Sequence, residues 1–134
     1  MKNIKNLEIF KDSTVKQALK VISKGGIKIA IVIDKKGKFL GTLTDGDIRR
    51  GFLKGLGVNS SINSIYFKKP IIAKMTDTKE KLLKLAISKQ IYQIPVVNNN
   101  GKVVSMHVLE ELIKIKKKTN KIIVMAGGKG MRLR

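Results

Sequence analysis

The chain has 134 residues and a formal net charge of +20, from 29 basic against 9 acidic side chains. It has no cysteine and a single histidine, His107, which excludes disulfides, thiolate zinc sites and any metal centre built mainly of histidines. Apolar residues make up 43%, enough for a buried core and too many for a disordered chain.

The first predicted strand is Leu7–Phe10. Thr14-Val-Lys-Gln17 then reads as a capping box, in which side chains satisfy free amide donors at a helix start. Ala18, Leu19 and Ile22 follow at the spacing of one helix face. The run Ile29-Ala-Ile-Val-Ile33 is β-branched and apolar, a buried strand. Asp34-Lys-Lys-Gly37 predicts a turn whose glycine takes positive φ. A second strand, Phe39–Leu43, leads to a second helix opening near Asp45. Gly55 to Lys69 reads as a linker with a short helix over Ile62–Tyr66.

The same order then recurs. Shifted by 64 residues, 12–48 aligns with 76–112 without a gap. Pro70-Ile-Ile-Ala73 is the introductory strand, and Asp77-Thr-Lys-Glu80 is the matching capping box. A helix carrying Leu82, Leu83, Ala86 and Ile87 follows, then the strand Ile94-Pro-Val-Val97 and the turn Asn98-Asn-Asn-Gly101. The strand Val103–Val108 and a helix from Leu109 complete it. One such unit cannot bury both faces of its sheet, whereas two packed sheet to sheet can. The expected fold is therefore α+β: two β-α-β-β-α motifs, 1–58 and 59–118, packed as a sandwich about a pseudo-two-fold axis.

Binding chemistry concentrates in Gly41-Thr-Leu-Thr-Asp-Gly-Asp-Ile-Arg-Arg50, where a strand hands over to a helix. Such a junction offers free amide donors and a positive dipole end. Thr44 brings a hydroxyl, and Asp47 a carboxylate able to bridge the two hydroxyls of a ribose. Arg49 and Arg50 bring cationic forks for phosphate oxygens. Thr44-x-x-Asp47 is equally a capping box, sufficient to start a helix with no ligand.

The repeat, the Pro-Val-Val string at 95–97 and the Gly-x-h-Thr-x-x-Asp-h string at 41–48 resemble the cystathionine-beta-synthase (CBS) domain family over about residues 7–116. The resemblance implies a tandem pair that binds an adenosine-type nucleotide (AMP, ADP or ATP) in clefts between its halves. It implies that Thr44 and Asp47 hold the ribose, that the main chain of Lys28, Ile29, Ala30 and Ile31 borders the base, and that Arg50 approaches phosphates. In the second cleft, at Ile94 and Pro95, Val108 stands in place of Thr44 and Glu111 in place of Asp47, which predicts a weaker or altered site. CBS pairs also dimerise, so a homodimer, or a purely structural dimerisation module, is the competing expectation. His107 pairs with Leu43 in the repeat and is expected to be a half-buried strand residue.

The strand-like Lys121-Ile-Ile-Val-Met125 precedes Ala126-Gly-Gly-Lys-Gly-Met-Arg-Leu-Arg134. This resembles the opening of sugar-1-phosphate nucleotidyltransferases, in which a glycine-rich loop wraps a nucleoside triphosphate. It carries over to Gly127, Gly128, Gly130 and Arg132, while Met131 departs from the usual threonine. Residues 119–134 are thus expected to be a linker and the truncated start of a catalytic domain that would need a divalent metal. The chain by itself is not expected to be an enzyme. Its expected partners are a nucleotide and its own C-terminal catalytic domain.

Only four of the basic residues are arginine, the lysines are dispersed and aromatics are 4%, so nucleic acid is not the expected partner. No apolar run approaches the roughly 20 residues needed to span a bilayer, and Met1–Lys5 lacks the apolar core of a signal peptide. A cytoplasmic protein without membrane contact is expected.

Overall fold

A computed structural model describes residues 4–119, with side chains described to residue 114. The elements run β1 (Glu8–Phe10), α1 (Val15–Gly25), β2 (Ile29–Ile33), β3 (Phe39–Thr44), α2 (Asp45–Leu53), β4 (Ala73–Lys74), α3 (Lys79–Lys89), β5 (Gln93–Val97), β6 (Val103–Val108) and α4 (Leu109–Thr119). They form two three-stranded sheets, ordered β1-β2-β3 and β4-β5-β6.

The 64-residue shift holds at the level of register. Ile9 pairs with Val32 as Ala73 pairs with Val96, both parallel. Ile29 pairs with Thr44 as Gln93 pairs with Val108, both antiparallel. Even the irregularity recurs, between Val32 and Ile33 and between Val96 and Val97. Gly37 and Gly101 close the two turns at φ 83 and 78, the conformation that favours glycine.

Three details correct the sequence expectations. The second capping box does not form over Asp77–Glu80. Thr78 is the N-cap and accepts from Lys81 N, while Asp77 accepts from Lys74 N at 2.8 Å and from Lys81 Nζ at 3.0 Å. The introductory strands are shorter: Ile4–Leu7 is a 3-10 turn before β1, and β4 begins at Ala73 rather than Pro70. The linker helix contracts to a 3-10 turn over Ile62–Ser64, capped by the Ser61 hydroxyl.

Each sheet buries one face against its own helices. Val15, Ala18, Ile22, Val32 and Leu43 are core residues in the first half; Leu82, Ala86, Ile94, Val96 and Leu112 are core residues in the second. The opposite faces meet each other. Ile29, Ile31 and Ile33 pack with Val103 and Met106, with Leu7 closing one side. Ile31 and Met106 are fully buried in this shared layer, the sheet-to-sheet arrangement that the repeat requires. Two polar links cross it: Gln93 Nε2 donates to the Ile27 carbonyl at 2.7 Å, and Phe39 N donates to the Gly101 carbonyl at 2.8 Å.

Candidate functional site

The handover from β3 to α2 brings Thr44 and Asp47 together. Thr44 N donates to Asp47 Oδ2 at 3.0 Å, the Thr44 hydroxyl donates to the same oxygen at 3.1 Å, and Asp47 N donates back to that hydroxyl at 3.3 Å. A reciprocal capping box therefore forms. Arg50 NH2 reaches Asp47 Oδ1 at 2.6 Å. The Asp47 side chain is only 13% exposed, while that of Arg50 is 66% exposed.

The cap uses the same hydroxyl and carboxylate that the sequence offers for ribose binding. Each carboxylate oxygen offers two acceptor directions, and the cap uses only part of that capacity. The second oxygen is engaged only by the exposed Arg50, a tie that solvent screens and a ligand hydroxyl can displace. Arg50 thus sits on Asp47 rather than standing apart, and Arg49 lies exposed beside it.

Lys28 is exposed and precedes β2 at φ 63, a left-handed conformation that costs a non-glycine residue about 1 kcal/mol. Ile29, Ala30 and Ile31 are buried. Ile31 is paired on both sides, with Glu8 and with Thr42, so its main chain is committed to the sheet. Only Lys28 and Ile29 lie at the open end of β2, opposite Thr44. In the second half, Ile94 and Pro95 are buried, and Val108 pairs with Gln93 where Thr44 pairs with Ile29. Val108 has no side-chain acceptor for the first turn of α4. Glu111 is half-buried on that turn. Gly127, Gly128, Gly130 and Arg132 lie outside the described residues.

Sequence reasoning missed how the linker is used. Phe67 forms a two-way bridge with Thr42, N to O at 3.0 and 2.8 Å, along the free edge of β3. Ile62, on the same linker, is fully buried against Val15, Val32 and Leu43. A Cβ at Gly41 would overlap the Phe67 carbonyl oxygen, so only glycine allows the linker this close. The available signal was Gly41 itself, which the repeat replaces with Ser105.

His107 is half-buried on β6. Its pKa falls below the ordinary 6.5, first through burial and then through the Lys79 charge, against a smaller opposing pull from Glu111. Among the described residues no helix is long and apolar enough to cross a membrane.

Two repeated β-α-β-β-α units sharing one inter-sheet core give this chain the fold seen in solved CBS-domain proteins. Residues 4–54 match the family model described as the CBS domain. The chain is similar to part of inosine-5'-monophosphate dehydrogenase from Aquifex aeolicus, 27% identical over 110 residues, covering 81% of this chain and 22% of that one. It spans from 22% to 34% of the length of the curated relatives it matches. Among solved structures it resembles a CBS-domain-containing protein from Agrobacterium tumefaciens, with TM-score 0.72 and 18% identity, covering 86% and 90% of the two chains. It also resembles the cytosolic domain of the Mg2+ channel MgtE in complex with ATP, with TM-score 0.72 and 17% identity, covering 86% of this chain and 46% of that one.

Proposed function

We propose that this chain is a tandem CBS-domain pair serving as a regulatory module that binds an adenosine-type nucleotide and controls an attached sugar-1-phosphate nucleotidyltransferase domain. The observation that carries the binding half is the Thr44–Asp47 pair. A hydroxyl and a little-exposed carboxylate, 3.1 Å apart, stand at a strand-to-helix junction with an exposed guanidinium beside them. Asp47 Oδ1 would take the ribose hydroxyls as Arg50 swings outward to the phosphates. That a CBS-type fold is known with ATP, in the MgtE domain, supports the ligand class. The Gly127-Gly-x-Gly130 loop with Arg132 supports the attached activity, in which a nucleoside triphosphate and a sugar 1-phosphate give a nucleotide sugar and pyrophosphate.

Calorimetric titration with AMP, ATP, GTP and CTP tests the binding. An adenosine nucleotide should bind best, and Asp47→Ala should weaken it by about tenfold or more, the loss of a charge-assisted hydrogen bond. Folded protein giving no heat with any of the four sinks the reading. Pyrophosphate release by the full-length protein, measured with and without AMP, tests the control. Regulation needs unequal affinity for two states, so occupancy without a change in rate would count against it.

A second reading is a dimerisation module. Phe52 and Leu53 stand 41% and 82% exposed at the end of α2, apolar surface that a second copy would cover. Sedimentation of Leu53→Lys against the native chain separates the two readings.

A further inference from the structure

Among the described residues, the buried seat that the linker fills in the first half has an open counterpart in the second. Around it, Val15, Gly41 and Leu43 of the first half correspond to Lys79, Ser105 and His107. Val15 and Leu43 are fully buried beneath Ile62. Lys79, Ser105 and His107 instead line an open cavity of about 220 Å³ together with Lys74, Asp77 and Val96. Lys74 and Met75 continue it into a neighbouring cavity of about 420 Å³ beside Asn98–Asn100. Ser105 pairs with Val96 and His107 with Ile94, so both lie on the helix face of the sheet, away from the layer the halves share. Ser105 carries a side chain at the position where Gly41 leaves room for the Phe67 carbonyl in the first half.

The groups facing this groove are donors in excess. Lys74 and Lys79 carry charge, and Ser105 and His107 carry a hydroxyl and an imidazole. Among the described residues neither the Ser105 hydroxyl nor the His107 ring makes a hydrogen bond. The carboxylate that lines the groove, Asp77, is already engaged through both oxygens, by Lys74 N and Lys81 Nζ. The other nearby carboxylate is Glu111 on α4. We propose that this groove, formed by Lys74, Lys79, Ser105 and His107 on the outer face of the second sheet, is a binding site for a small phosphate-class anion. Two ammonium groups and two neutral donors converging on an oxyanion supply charge-assisted hydrogen bonds. The site is separate from the Thr44–Asp47 junction and stands or falls independently of it.

The test is an NMR titration of the His107 ring protons with inorganic phosphate, against sodium chloride at equal ionic strength. The expected result is a saturable shift with phosphate alone, weakened at least about tenfold in Lys79→Val and in Lys79→Gln. Lys79→Val restores the first half's residue at that position and is not expected to harm folding. Asp47→Ala should leave the phosphate response unchanged, while it weakens AMP binding at the Thr44–Asp47 junction. An equal shift with chloride is general attraction to a highly cationic surface and overturns the proposal. So does a phosphate response that survives both Lys79 variants, or one that vanishes with Asp47→Ala.

Discussion

The two halves share a backbone to the level of individual strand pairs and differ in how they are finished. In the first, the helix starting at Thr44 is capped by two side chains, α1 ends in Gly26 at φ 75, and the linker seals the helix face with Ile62. In the second, Val108 replaces the cap, α3 ends in Gln90 at φ 55, and the helix face opens into a groove. Backbone geometry is evidently set by the pattern of buried strand residues, which both halves keep. Capping, turn chemistry and surface sealing are local, so they diverge without altering the fold. Both proposed sites lie among these local features, so one scaffold could hold two unlike sites.

The two halves differ most sharply at Ile62, which has no described counterpart in the second. Ile62→Ala should cost about 3 kcal/mol in urea unfolding, since the plug is fully buried and leaves a cavity against Val15 and Leu43. A loss under about 1 kcal/mol would mean that the linker only drapes over the surface.

Building the missing cap sharpens it. The double variant Val108→Thr, Glu111→Asp recreates Thr-x-x-Asp at α4 and should gain about 1 kcal/mol in the same assay. Under the nucleotide reading it should also raise the number of nucleotides bound per chain. Gln90→Gly gives the second half the C-cap of the first and should gain somewhat under 1 kcal/mol, because glycine carries no left-handed penalty. Thermal melts of native and variant chains measure it, and a fall in melting temperature would contradict the argument.

The smallest effect is a pH slope. His107 has a folded pKa below its unfolded value near 6.5, so the unfolded chain takes up protons first as pH falls. This residue's contribution is intact above 6.5 and is lost between 6.5 and the lower folded value. His107→Leu, the first half's residue, should flatten stability between pH 7 and pH 5. An unchanged slope would place the source elsewhere.

Most of the fold was legible because the period of the pattern is strong. Ile29–Ile33 and Val103–Val108 are strands with the bounds their β-branched runs predict, and the repeat aligned them without gaps. Boundaries failed where several residues could serve one purpose. Asp77 and Thr78 can both cap a helix; the threonine takes the cap, and Asp77 is held instead by Lys74 N and Lys81 Nζ. At the candidate site, Thr44 and Asp47 were legible from chemistry and spacing, and they do meet. That Arg50 rests on Asp47 was not legible, because an exposed guanidinium takes whichever carboxylate tertiary structure brings near. The groove at His107 was invisible in a single half. It emerges only when the residues under the first half's linker are read against their counterparts.

In the layer between the sheets, Ile31 and Met106 have no solvent contact, and Gln93 is tied across to Ile27. Prising the halves apart would wet this layer, at roughly 25 cal/mol for every Å² of apolar surface uncovered. Under the proposed regulatory role, a signal would travel as a small tilt of the two sheets about a dry seam, not as the opening of a clamshell.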